Sequence, residues 1–279
     1  ADDYIVKPFS AREVVARIKA VLRRFNTDGG VQSQVIRRPG LEINIANYDV
    51  RINGESIPFT PKEVEILYLL ASNPGRVFDR EHILSKVWGY DFFGDTRAVD
   101  TQIKRIRQKL PDEELPWSIK TVYGVGKIED IFDHHGITKS NHAAGNPACM
   151  QATFEAMDED FDGLLFVNLV DFDMVYGHRR DVKGYAAALE TFDAQLPEIQ
   201  AKMGEDDLLM ITADHGCDPC HSGTDHTREH TPLLVWSRKM QGGVNLGVRA
   251  TYADISATVL DYFGLANPLR GTSFLEELK

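Results

Sequence analysis

Imidazole is segregated along this chain: eight of its nine histidines, all but His82, lie after residue 127. Charge divides at the same place. Residues 1–127 hold 20 lysines and arginines against 17 acids, whereas the remainder holds 11 against 25, and the whole carries −11. A basic half nearly free of imidazole and an acidic half that holds the rest fit two units with different work. With 279 residues and 43% apolar content the chain can build two cores at about 150 residues each, which excludes a mainly disordered polymer. No run approaches the ~18–20 consecutive apolar residues of a membrane span. The start, Ala1-Asp2-Asp3-Tyr4, lacks the basic and apolar segments of a signal peptide, so a cytoplasmic location without a membrane partner is expected. Cys149, Cys217 and Cys220 are too few for a disulfide framework and suit a reducing compartment.

Within the basic half, residues 11–24 place Val14, Val15, Ile18, Val21 and Leu22 at helical spacing. Residues 25–38 are polar, Gly-containing and aperiodic, and read as a linker. Short strands follow over Leu41 to Ile45 and Tyr48 to Ile52, with a hairpin signal at Asn53-Gly54. Thr60-Pro61-Lys62-Glu63 supplies an N-cap, a first-turn proline and a capping glutamate for a helix through Leu70. Helices are predicted again over Asp79 to Val87 and Thr96 to Leu110. The latter turns Val99, Ile103, Ile106 and Leu110 inward and Lys104, Arg105, Arg107 and Lys109 outward. A strand over Trp117 to Val122 then runs into Gly124-Val125-Gly126. This is the plan of a winged helix-turn-helix, whose basic helix can enter a major groove; on its own the basic face also fits an ordinary solvated helix.

Residues 39–126 resemble the DNA-binding domain of OmpR/PhoB-type response regulators, through Phe59-Thr60-Pro61-Lys62-Glu63, Arg80-Glu81-His82-Ile83-Leu84, Val87-Trp88-Gly89, the run Arg97 to Leu110, and Thr121 to Gly126. Residues 1–24 resemble the end of that family's receiver domain, with Lys7-Pro8-Phe9 at the phosphoryl-contacting lysine, but no phosphoacceptor aspartate accompanies them. The resemblance implies that Arg97, Thr101, Gln102, Lys104, Arg105 and Lys109 face double-stranded DNA, with Thr121 and Tyr123 at the wing. It also implies that the loop Trp88 to Asp95 meets RNA polymerase. The wing departs from the family where Gly126 is followed by Lys127-Ile128-Glu129-Asp130, which sets two acids near phosphate.

The acidic half has α/β periodicity. Strands are predicted over Gly163 to Val170, Leu208 to Thr212 and Leu233 to Trp236, and helices over Tyr185 to Met203 and Tyr252 to Phe263. Polar residues sit at strand C-terminal ends, the usual site position in parallel sheets. They make a ligand set: Asp173 with His178, Asp214 with His215, and His226. Carboxylates mixed with imidazoles suit Mn²⁺, Zn²⁺ or Fe²⁺ better than Ca²⁺. Cys217-Asp218-Pro219-Cys220-His221 fits a short haem or redox pattern, but no export signal is expected and the motif does not open a helix.

Residues 126–279 resemble phosphopentomutase of the alkaline phosphatase superfamily, through Gly126-Lys127-Ile128-Glu129-Asp130-Ile131-Phe132, Asn168 to Asp173, Tyr176-Gly177-His178-Arg179-Arg180, Thr212-Ala213-Asp214-His215-Gly216, Gly223 to Glu229, and Gly271-Thr272-Ser273-Phe274-Leu275. The resemblance implies one manganese on Asp173, His178 and His226, a second near Asp214 and His215, and Lys127 at the transferred phosphate. The family's phosphate-carrying threonine and sugar-gripping cap have no counterpart read in residues 1–125, so turnover of ribose phosphate is not expected. The fold expected is an α+β winged helix-turn-helix domain followed by a truncated α/β alkaline-phosphatase-like domain, a chimera whose boundaries fall at 24/25, 38/39 and 126/127. The function expected is DNA binding joined to a metal-binding remnant; the alternative is a working phosphopentomutase with a vestigial DNA-binding part. Bared sheet edges also make self-association an expectation.

Overall fold

A computed structural model describes residues 34–89, 95–111, 115–133, 135–159, 161–240, 242–268 and 270–278. The helix read over 11–24, Lys7 and most of the loop Trp88 to Asp95 lie outside them. The chain divides into two units, residues 1–72 and 73–279.

In the first unit, β1 (Val35–Arg38), β2 (Leu41–Asn44), β3 (Asp49–Ile52) and β4 (Glu55–Ser56) form an antiparallel meander in that order. Alternation sets the buried face: Leu41, Ile43, Val50 and Ile52 point inward while Arg51 faces solvent. The β3–β4 turn has Asn53 at φ 51° and Gly54 at φ 89°, the two left-handed positions of a primed hairpin turn. Helix α1 (Pro61–Ser72) opens as its capping signature predicts, with the Thr60 amide donating to Glu63 Oε2 at 2.7 Å. One expectation changes here. Residues 35–38 are not linker but strand, because Val35 and Ile36 are β-branched and pair with Asn44 and Ile43.

The second unit begins with α2 (Arg80–Trp88), capped by Asp79 accepting from the His82 amide at 2.6 Å, and α3 (Arg97–Lys109), which buries Val99 and Ile106. There follow β5 (Thr121–Val125), α4 (Ile128–Ile131), β6 (Lys139–Asn141), α5 (Asn146–Met157) and β7 (Gly163–Val167). A π-helix (Phe172–Gly177), α6 (Val182–Lys202), β8 (Leu209–Thr212), β9 (Leu233–Trp236) and α7 (Ala253–Tyr262) complete it, with a terminal 3₁₀ turn over Leu275–Leu278.

Strand β5 lies between β6 and β7, parallel to both, with Tyr123 opposite Lys139 on one side and Leu165 on the other. Tyr123, Gly124 and Val125 are buried, as a central parallel strand with both faces covered requires. Tyr123 and Val125 join Cys149, Ala152 and Ala156 in one core cluster. The strand therefore does not close a wing hairpin. Gly126 ends it in a left-handed turn at φ 79°, where a Cβ would lie 2.7 Å from the Asn168 carbonyl oxygen, so no other residue fits without displacing backbone.

Two arginines fasten the preceding helices to this sheet. Arg107 of α3 donates to the Ile119 carbonyl at 2.6 Å and to Thr121 Oγ1 at 3.2 Å. Arg80 of α2 grips Asp100 with two 2.8 Å bonds and also donates to the Thr138 carbonyl at 3.1 Å. Contacts thus continue across residues 126/127, and the division into units falls at Ser72/Asn73 instead. Strands β8 and β9 form an antiparallel pair, Leu209 opposite Trp236, rather than members of one parallel sheet.

Candidate metal centre

Asp173 and His178 stand five residues apart, a spacing that would separate them around an α-helix. The chain resolves this with the π-helix, in which the His178 amide donates to the Asp173 carbonyl at 2.9 Å. His178 Nε2 then lies 3.3 Å from Asp173 Oδ1. His215, just beyond β8, places Nε2 3.9 Å from the same oxygen, and His226 places its own at 3.3 Å. The His215 and His226 rings stack at 3.6 Å. Asp173, His215 and His226 can offer ligand atoms all within 4.8 Å of one another. Asp214 stands at the margin, its Oδ1 3.6 Å from His215 Nε2 and its side chain 78% exposed.

Hydrogen bonds at the far side of two of the three rings set what those rings offer. A carbonyl oxygen only accepts, so His178 Nδ1 donates to Thr224 and His215 Nδ1 donates to Gly216 at 3.0 Å. In the neutral imidazole this leaves Nε2 as a lone pair aimed at Asp173. Asp173 Oδ1 is buried and accepts no hydrogen bond. Acceptors converging without a donor are costly unless a cation sits among them, and the mixed nitrogen and oxygen set fits a transition metal.

Glycine makes room for the arrangement. A Cβ on Gly177 would meet Cys217 Sγ at 2.6 Å, so the π-helix and the loop after His215 touch only because the residue has no side chain. Burial first, then the Asp173 carboxylate, pushes the Cys217 thiol above its ordinary value. Cys149, Cys217 and Cys220 are free thiols.

A cleft of about 270 Å³ is lined by Lys127, Asp130, His142, Asp171 and the π-helix residues Met174 and Val175; none of the clustered histidines lines it. Lys127 Nζ approaches Met174 Sδ at 2.6 Å. His142 Nε2 meets Glu129 Oε2 at 2.6 Å, and Ser140 Oγ donates to the same oxygen. His142, one residue past the end of β6, also stands at a strand C-terminus on this cleft.

Along α3, Arg97, Thr101, Lys104 and Arg105 are exposed, Gln102 and Lys109 half-buried. Thr101 Oγ1 bonds back to the Arg97 carbonyl at 3.1 Å. The two wing positions must be corrected. Tyr123 is 4% exposed, packed edge-on against Phe161, and Thr121 Oγ1 accepts from Arg107, because β5 is used as the middle of a sheet.

Comparison with known proteins gives two family matches. Residues 118–267 match the family described as Metalloenzyme superfamily, and residues 54–126 match that described as Transcriptional regulatory protein, C terminal. The two matches share residues 118–126, which contain β5. A phosphopentomutase of Caldanaerobacter subterraneus subsp. tengcongensis is 60% identical over 238 residues, covering 83% of this chain and 59% of that protein. One of Herpetosiphon aurantiacus is 45% identical over 227 residues, covering 79% and 57%. The chain thus spans just over half the length of these curated relatives. A solved DNA-binding domain of CpxR from E. coli is 29% identical, covering 39% of this chain and 98% of that one, at a TM-score of 0.30. Among the described residues no helix is long and apolar enough to cross a membrane.

Proposed function

Because this chain belongs to the metalloenzyme superfamily, joined to a transcriptional-regulator C-terminal domain, we propose that Asp173, His178, His215 and His226 hold a divalent cation, Mn²⁺, with Asp214 at the margin of a second position. The observation that carries this is Asp173 Oδ1, buried without a hydrogen bond while three imidazole nitrogens converge on it. When bound, the cation supplies charge stabilisation to a phosphoryl group. The protein's own part is to hold the His178 and His215 imidazoles in one tautomer through Thr224 and Gly216, with Lys127 in the cleft that the π-helix also lines. A ribose phosphate is the substrate class that the phosphopentomutase relatives suggest for that cleft. Among the described residues no threonine is assigned to carry the phosphate, and the reading proposed is metal binding without turnover. Titration with Mn²⁺ followed by electron paramagnetic resonance tests the site: bound metal at low micromolar concentration supports it, and none at millimolar metal removes it. Interconversion of ribose 1-phosphate and ribose 5-phosphate by the purified chain would restore the enzyme reading.

The exposed basic face of α3 favours a second activity, binding to double-stranded DNA. Lys104, Arg105 and Arg97 would neutralise phosphates and Thr101 would reach base edges, with no contribution from Tyr123. Contact with RNA polymerase through the loop Trp88 to Asp95 and association between copies belong to the same proposal. A gel shift on tandem half-site DNA, repeated across salt concentrations, measures the DNA contact; binding indifferent to salt would refute it.

A further inference from the structure

Arg180 follows the π-helix and takes part in none of the contacts described so far. Its backbone is left-handed at φ 54°, a conformation that a residue with a Cβ adopts only when its surroundings enforce it. Its amide donates to the Gly177 carbonyl at 3.0 Å, closing the turn that exits the π-helix. The guanidinium crosses to the loop between His215 and His226, where Nε donates to the Gly223 carbonyl at 2.5 Å, Nη1 to Asp218 at 2.8 Å and Nη2 to Asp225 at 2.6 Å. These three carbonyls lie along the segment that precedes His226, and His178 Nδ1 takes the intervening Thr224 carbonyl. The segment has no helix or strand of its own between Cys217 and Asp225. A local turn at Asp218 and the Gly216–Thr227 bridge hold its start and end, and donors from the π-helix exit hold the carbonyls between.

We infer that Arg180 is the positioning residue of the metal centre: it ties the π-helix, which carries Asp173 and His178, to the loop that carries His226, so that ligands from distant parts of the chain meet. The inference rests on the metal reading above. A planar guanidinium with its donors in a fixed fork can serve three carbonyls in different directions, which a lysine ammonium at the same place cannot. Groups that orient ligands from behind typically govern metal affinity by about 10- to 100-fold without touching the ion.

The test uses the full chain with Mn²⁺ alone. Arg180→Ala and Arg180→Lys should weaken Mn²⁺ binding by about 10- to 100-fold and broaden the spectrum of the bound ion. Arg179→Ala, at the exposed neighbouring position, should leave both unchanged. Free guanidinium should restore part of the affinity of Arg180→Ala but not of Asp173→Ala. Hydrogen exchange of residues 217–226 in metal-free protein reads the clamp independently of any metal: faster exchange in Arg180→Ala supports it, and unchanged exchange overturns it. Equal Mn²⁺ affinity in wild type and Arg180→Ala also overturns the inference. A wild type that binds no Mn²⁺ sinks the metal reading, and the exchange result then decides the clamp alone.

Discussion

The metal cluster and the basic helix are built by opposite means. Every residue of the α3 face comes from thirteen consecutive positions, so its geometry is set once the helix forms. The cluster draws Asp173 and His178 from a π-helix, His215 from the end of β8 and His226 from an irregular loop. A contiguous surface tolerates disturbance elsewhere in the chain; an assembled one inherits every disturbance of the segments it joins. The two proposed activities should therefore separate on mutation.

The largest effect is expected from Asp173→Asn, which removes the carboxylate charge on which all three imidazoles converge. Mn²⁺ affinity should fall by two orders of magnitude or more, roughly the loss of a whole ligand, while the DNA gel shift stays as in wild type. A parallel loss of DNA binding would break the comparison, since it would mean that the helix depends on the site. Replacing Lys104 and Arg105 together by alanine makes the converse cut. The salt slope of DNA binding should drop by about 1.8, two phosphate contacts, with Mn²⁺ titration unaltered.

Arg80→Ala probes the join between the regions, because the side chain holds Asp100 of the basic helix and the Thr138 carbonyl before β6 at once. The pair is partly solvated, with Asp100 46% exposed, so a loss of about 1–2 kcal/mol in urea unfolding is expected. A shift in the midpoint without a change in slope would show one cooperative unit loosened, whereas two resolved transitions would show that the regions unfold separately.

The smallest effect concerns Asp254, whose carboxyl is held below its ordinary value chiefly by the Thr272 amide at 2.9 Å and also by Arg249 at 3.1 Å. Its folded-state value lies below the unfolded one. The stabilisation is therefore complete above the ordinary carboxylate range and is lost as pH falls through the folded-state value. Asp254→Asn should lower Tm by a few degrees at neutral pH, and the gap from wild type should close in acid.

Much of this was legible before any coordinates. The Asn53-Gly54 turn and the Thr60 and Glu63 capping pair stand where their chemistry puts them, because local backbone preference alone decides such features. The five-residue spacing of Asp173 and His178 flagged a ligand pair, yet nothing in the residue types announced a π-helix. Residues 121–125 carry a pattern that serves a hairpin or a buried parallel strand equally, and only the partners β6 and β7 decide between them. Arg180 lies in the Tyr176 to Arg180 motif, but its work is invisible in residue types, since its partners are backbone carbonyls, which every residue has.

The π-helix has one more implication. Each such turn contains a residue that an α-helix of the same length would lack. Excising a single position between Asp173 and His178 would let the segment relax to ordinary pitch and swing the carboxylate and the imidazole away from each other, with no ligand touched. A binding function that hangs on one surplus position is simple to acquire by insertion and equally simple to erase, so indels there, more than substitutions, are the changes that would tell a cation-holding descendant of this chain from a silent one.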